Sequence, residues 1–150
     1  MHRWKGSSVL TLTLLNETLK KMIKLNRLHH IAIICNDYEK SKRFYVDVLG
    51  FKIEREVYRE NRQSFKLDLT LNGQYLIELF SFPNPPIRLT RPEATGLRHL
   101  AFEVDDIDES VQTLNEMNVD VEPIRVDEFT NKRFTFLFDP DSLPIELYQK

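Results

Sequence analysis

A single cysteine, Cys35, leaves the chain without an internal disulfide. That usage fits a reducing compartment, so a cytoplasmic location is expected. Charge of neither sign is in excess. Lys and Arg number 21 against 23 Asp and Glu, for a net charge of -2 and a pI near 6.1. This balance offers no electrostatic hold on nucleic acid or on an anionic membrane. No apolar run approaches the roughly 18 residues that a membrane helix needs. The N-terminus only imitates a secretory leader: His2, Arg3, Trp4 and Lys5 precede an apolar run over 9–15. That run is short, holds two threonines, and passes into Asn16-Glu17 with no small-residue cleavage site. Residues 1–27 therefore read as an appended extension, with a helix expected over 16–24 and Met22 as a candidate natural start.

What the chain does have is an internal echo. Counting from His30 and from His99, both copies carry Ala at +2 (Ala32, Ala101), Asp at +7 (Asp37, Asp106) and Ser at +11 (Ser41, Ser110). The same order of elements follows each histidine. In the first copy, an apolar run over 29–35 predicts a buried strand. A helix follows, capped by Asn36 or Asp37, with Phe44, Tyr45, Val48 and Leu49 on one face and Gly50 as its stop. Phe51, Ile53, Arg55 and Val57 predict a second strand. Phe65, Leu67 and Leu69 alternate with polar residues in a third, and Asn72-Gly73 is a hairpin turn leading to a fourth over 75–80. Residues 81–96 hold Pro83, Pro85, Pro86 and Pro92, a density no ladder strand tolerates, and form a linker. The second copy predicts a strand over 97–104 and a helix capped by Asp106 with Glu109, its apolar face being Ile107, Val111, Leu114 and Met117. Further strands are predicted over 119–124, around Phe134, Phe136 and Phe138, and, after the turn 139–142, over 144–148. With 41% hydrophobic and 29% charged residues, the chain has enough apolar material for a sizeable core. The expected fold class is α+β: one domain over 28–150, made of paired β-α-β-β-β modules at 28–80 and 97–150.

The repeat also pairs two carboxylates. Glu78 lies 48 residues after His30, and Glu146 lies 47 after His99; each interrupts an apolar strand. A carboxylate in such a place is costly unless something binds it. Singly, a strand histidine more often just bonds a neighbour, and a strand glutamate more often sits on a solvated edge. Matched positions in a repeat are a stronger signal. Two imidazoles and two carboxylates form an N2O2 set suited to Zn, Ni, Co, Mn or Fe(II). The repeat aligns His99 with His30, so His29 reads as an ordinary strand-end histidine. Alternation puts Cys35 on the helix-packing side, where it reads as a small buried hydrophobe. By the same alternation Lys66, Asp68, Glu103, Arg133 and Thr135 are candidate inward contacts, their alternative being a polar face open to solvent.

The motifs His30-Ile-Ala-Ile-Ile, Leu-Ile-Glu78-Leu, Leu-Arg-His99-Leu-Ala-Phe and Asp139-Pro-Asp-Ser-Leu-Pro-Ile-Glu146-Leu-Tyr resemble the vicinal oxygen chelate superfamily, over about residues 28–149. Within it the chain is similar to glyoxalase I-like proteins. The runs Glu56-Val-Tyr-Arg-Glu, Leu71-Asn-Gly-Gln-Tyr, Arg91-Pro-Glu-Ala and Lys132-Arg-Phe-Thr-Phe resemble the small YaeR-type glyoxalase/bleomycin-resistance proteins. The resemblance implies modules forming a cupped mixed sheet around a divalent metal (Ni, Co, Zn or Mn) held by His30, Glu78, His99 and Glu146. It implies a homodimeric lyase or isomerase acting on a small oxygen-chelating substrate, with Glu146 or Glu78 moving the proton. Two departures bear on that substrate. Where bacterial glyoxalase I holds the glutathione carboxylates with an Arg and an Asn, four residues past its first and second ligands, this chain has Ile34 and Phe82. Ser142 stands where the turn usually has Gly. Thiol transferases of the fosfomycin-resistance type and extradiol dioxygenases are the alternative enzymes, matching His30, His99 and Glu146 but not Glu78. A non-catalytic small-molecule binding protein is the alternative outside enzymes.

Overall fold

The computed structural model describes residues 22–150. Of the helix expected over 16–24, residues 16–21 lie outside the described residues, and 22–30 carry no regular structure. The chain then runs β1 (Ile31–Cys35), α1 (Tyr38–Arg43), β2 (Lys52–Arg59), β3 (Ser64–Leu71), β4 (Gln74–Ser81), β5 (Leu100–Val104), α2 (Ile107–Glu116), β6 (Arg125–Val126), β7 (Arg133–Phe138) and β8 (Pro144–Gln149). The strands make two four-stranded sheets of one topology, β1-β4-β3-β2 and β5-β8-β7-β6. In each, the first strand lies parallel to the last and the other pairings are antiparallel. The repeat in sequence is thus a repeat in space, and the class is α+β.

Local chemistry accounts for most boundaries. Asp37 caps α1 by accepting from the Lys40 amide, and Asp106 caps α2 by accepting from the Asp108 and Glu109 amides. The helix over the first apolar face is wider than α: Phe44–Val48 is a π turn, closed by Gly50 at φ 75°. Asn72 and Gly73, at φ 51° and 75°, make the tight β3–β4 turn. The strand expected over 119–124 does not form. Pro123 lacks the amide a ladder needs, so Val121 makes one isolated bridge to Leu137 and pairing resumes at Arg125. Met117 is the α2 C-cap and stays half exposed.

One face of each sheet is apolar and buried. Leu67, Leu69, Ile77 and Leu79 line the first; Leu137, Ile145 and Leu147 line the second. The two faces share one cluster with Cys35, Tyr38, Tyr45 and Phe51. Phe51 of the first module meets Phe102 of the second edge-on at 5.9 Å. A polar seam runs alongside: the Tyr45 hydroxyl donates to Asp139 at 3.0 Å, and the Asn36 amide donates to Asp141 at 3.1 Å. Each fully buried Leu or Ile contributes about 1.5–3 kcal/mol. The modules are therefore joined on their helix-side faces, which leaves the opposite faces uncovered by this packing.

Candidate metal centre

Glu78 sits mid-strand in β4 on the face opposite the leucines, in register with Ala32 of β1 and Asp68 of β3. His30 immediately precedes β1, and its Nε2 lies 3.5 Å from Glu78 Oε2. In the second module Glu146 of β8 is in register with Ala101 and Phe136. His99 precedes β5, with Nε2 3.1 Å from Glu146 Oε2. The alanine at +2 of each repeat now has a reason. It is the neighbour of the glutamate, and its small side chain leaves the space over the carboxylate open.

The two pairs differ in surroundings. Glu78 is enclosed by charge: Lys66 Nζ stands 2.6 Å away, and the Tyr75 hydroxyl donates to it. Burial pushes the Glu78 pKa up, but the Lys66 ammonium and Tyr75 hydroxyl outweigh it and hold the carboxyl below its ordinary value. Burial opposes ionisation of Asp68 too, and Lys66 and Arg55 overcome it. The Tyr75 hydroxyl is pushed up, first by burial and then by Glu78. Around Glu146 the neighbours are aromatic: the His99 ring meets Phe136 edge-on at 5.3 Å. His99 Nδ1 is buried and has no hydrogen-bond partner.

Simple alternation misplaces several residues. Two bulges, one at Ile53/Arg55 and one at Leu69/Thr70, each insert a residue opposite the partner strand. The first turns Arg55 onto the face of Asp68, which it grips at 2.7 Å. The second turns Tyr75 onto the face of Glu78. Neither residue was legible from period-2 counting. Asp68 lines the first cleft and Lys66 pairs with it and with Glu78, while Glu103 is exposed in register with Tyr148. Arg133 and Thr135 are corrected. Arg133 reaches away to Asp108 of α2 at 2.6 Å, and Thr135 is fully buried, donating to the Glu122 carbonyl at 2.6 Å. The inward residues of β7 are Phe134 and Phe136. The repeat contained this signal, since Asp68 and Phe136 each precede their glutamate by ten residues. His29 lines the first cleft with Glu78 and Tyr75, its ring 5.4 Å from Tyr75.

The structure brings His30 to Glu78 and His99 to Glu146, but not one pair to the other. Among the described residues, no group of three or more His, Cys, Asp or Glu converges closely enough to hold one ion. Glu78 of the first pair borders a cleft with His29, Arg55, Asp68 and Tyr75, and His99 opens on a cavity lined by residues of the 88–98 stretch.

Comparison with known proteins matches this architecture. The protein YwkD of Bacillus subtilis (strain 168), itself uncharacterised, is 65% identical over 126 residues, which cover 84% of this chain and 98% of YwkD. The likewise uncharacterised YaeR of Escherichia coli (strain K12) is 64% identical over 129 residues, covering 86% of this chain and all of YaeR. The crystal structure of a glyoxalase family protein from Enterococcus faecalis superposes with a TM-score of 0.75 at 47% identity, covering 87% of this chain and 98% of that one. More distantly, the mitochondrial methylmalonyl-CoA epimerase of Mus musculus is 32% identical over 64% of this chain and 56% of its own length. Glyoxalase I of Leishmania major superposes with a TM-score of 0.63 at 26% identity, over 83% of this chain and 87% of that one. With its family description matching residues 27–147, the chain belongs to the Glyoxalase/Bleomycin resistance protein/Dioxygenase superfamily.

Proposed function

We propose that the chain is a metal-dependent lyase or isomerase of glyoxalase type, acting on a small oxygen-chelating substrate. His30, Glu78, His99 and Glu146 would hold the divalent cation, Ni, Co, Zn or Mn. The observation that carries this reading is the spacing inside each pair. Two ligands about 2.1 Å from one ion lie about 3.0 Å apart at a right angle and about 3.4 Å apart at the tetrahedral angle. The His–Glu separations of 3.1 and 3.5 Å match those edges. Each pair supplies one edge of a coordination shell, and the chain by itself does not close the shell. A homodimer closes it, with the first module of one copy facing the second module of the other. Strands β1 and β5, which lead out of the two histidines, are open edges of their sheets and are free to meet there.

Bound in that shell, a divalent ion would polarise a substrate carbonyl and stabilise the negative charge developing on its oxygen. The chain's own part is the proton. A carboxylate takes it from the carbon beside the carbonyl, the C–H electron pair moves toward the carbonyl oxygen, and the proton returns to carbon. Glu146 fits this role better than Glu78. Lys66 and Tyr75 occupy one oxygen of Glu78, whereas Glu146 has only His99 within ion-pair distance among the described residues. An epimerase relative and a glyoxalase I neighbour agree with proton transfer next to a carbonyl. The standard glutathione hemithioacetal is not the expected substrate. Ile34 is half exposed in register with Phe80, Phe82 stacks on Phe80 at 6.0 Å, and Arg59 lies 4.8 Å over the Phe80 ring. At positions 34 and 82 the side chains themselves offer the peptide's carboxylates no donor, and the Arg59 guanidinium beside them already donates to Ser64.

The test is metal binding, measured by titration of wild type and of the His30→Ala, His99→Ala and Glu146→Ala variants. Wild type binds one equivalent per chain, and each variant loses it. Mixing refolded His30→Ala with Glu146→Ala then restores metal to about a quarter of the sites, because half the dimers are mixed and each carries one intact shell. Absence of binding by wild type, or full binding by the variants, refutes the reading; no recovery on mixing refutes the shared shell. The grip of Lys66 and Tyr75 on Glu78 favours a second reading, a three-ligand site of His30, His99 and Glu146 as in thiol transferases. Glu78→Gln separates the two: a four-ligand site loses its metal, and a three-ligand site keeps it.

A further inference from the structure

The cavity beside His99 contains more positive charge than the metal reading uses. Arg88 and Arg91 from the proline-rich linker, Arg98 from the stretch before β5 and Arg125 from β6 converge on a space of about 230 Å³ bordered by His99 and Phe136. Two carboxylates sit among them. Arg98 Nε is 2.8 Å from Glu93, and an Arg125 terminal nitrogen is 2.9 Å from Glu122. Four guanidinium groups against two carboxylates leave +2 in this cavity, in a chain whose net charge is -2. Arg91 has no hydrogen bond or ion pair among the described residues. Arg88 donates through a terminal nitrogen to the Leu97 and Arg98 carbonyls, yet its buried Nε has no partner. A buried N–H group without an acceptor is costly, and one beside an unpaired arginine in a positively charged cavity calls for an acceptor from outside the chain.

The setting is also fixed in advance. Pro85, Pro86 and Pro92 restrict the linker backbone. Thr90 ties it to the β7–β8 turn by donating to the Ser142 carbonyl at 2.9 Å. Arg125 is held over Phe134 and Phe136 at 5.0 and 5.3 Å. Planar guanidinium forks held this way suit an oxygen-bearing anion.

We propose that this arginine-lined cavity binds an oxoanion carried by the substrate, a carboxylate or phosphate group remote from the chelating oxygens. The substrate class is then a small acidic carbonyl compound rather than a neutral dicarbonyl. This step rests on the metal-site reading for its chemistry but stands on separate residues. The test is titration calorimetry of the full chain with inorganic phosphate and with malonate at low ionic strength, chloride serving as the control anion. Wild type binds at least one of the two saturably. Arg91→Gln and Arg125→Gln each weaken that binding about tenfold or more. Arg133→Gln, the same charge change on the other face of β7, leaves it unchanged. Preference for phosphate identifies a phosphorylated substrate, and preference for malonate a carboxylic one. Saturable binding of neither, or equal affinity in an Arg91→Gln/Arg125→Gln double variant, overturns the proposal. Glu146→Gln keeps the two readings apart. In it metal is lost and anion binding stays at the wild-type level; metal retained strikes only the metal site, and anion binding lost strikes only this one.

Discussion

Removing one oxygen atom, by Tyr45→Phe, should loosen the joint between the two modules. Tyr45 is fully buried, and its hydroxyl donates to Asp139 Oδ2 at 3.0 Å. The other carboxylate oxygen of Asp139 accepts the Asp141 and Leu143 amides at 2.9 and 2.8 Å. All three partners donate, the pattern of an ionised carboxylate. The variant leaves Oδ2 with no donor in a site where Asp139 is 5% exposed. A hydrogen bond to a charged group is worth about 1.5–3 kcal/mol, and nothing here replaces it. For a chain of this size that corresponds to a fall in melting temperature of about 5–10 °C. The pH dependence sharpens the test. Burial pushes the Asp139 pKa above its ordinary value, and the Tyr45 hydroxyl works against that push. A carboxyl raised in the folded state contributes stability below the unfolded value near 3.8, and loses it as pH rises through the folded value. Without Tyr45 the folded value rises further, so more is lost by neutrality. The deficit of Tyr45→Phe should therefore be larger at pH 7 than at pH 4, in paired calorimetric or denaturant melts. A shift within 1 °C of wild type, or a deficit that grows as pH falls, refutes the account.

Ser142 holds φ at 66°, a left-handed conformation that costs a side-chain-bearing residue about 1–2 kcal/mol. Ser142→Gly relieves that strain and loses part of the gain to chain entropy, leaving about 0.5–1 kcal/mol of added stability; a melting temperature that falls counts against it. Thr135→Val deletes the buried hydroxyl that donates to the Glu122 carbonyl. It should cost about 1 kcal/mol and leave metal affinity within about twofold, because the residue faces away from Glu146; a large loss of metal binding would return Thr135 to the site. With Ile34 and Phe82 in place of charged or amide donors, turnover of the glutathione–methylglyoxal hemithioacetal should be weak, and glyoxalase I-like rates in a spectrophotometric assay would show the apolar wall to be irrelevant.

Much of this architecture follows from local chemistry. The apolar runs, the caps at Asp37 and Asp106 and the Asn72-Gly73 turn belong to short-range physics, so the two β-α-β-β-β units and the matched positions of His30, His99, Glu78 and Glu146 are readable from the chain alone. The side chains that surround those positions are not. A bulge adds one residue and reverses every face after it, which is how Arg55 and Tyr75 reach carboxylates that alternation assigns to the other side. Pro123 removes one amide and moves a strand. A period-2 count also lacks an absolute reference, and so Thr135 changes places with Phe136. The arginines at 88, 91, 98 and 125 are far less visible. Arg88 and Arg91 lie in a linker with no periodicity, Arg98 adjoins His99 in the chain, and only the fold brings the three to Arg125. The sequence by itself determined the repeat and its four candidate ligands, because strand period and capping are set within a few residues. Tertiary structure alone decided that these four candidates stand as two separate pairs, because the helix-side apolar faces pack together and turn the His–Glu faces outward.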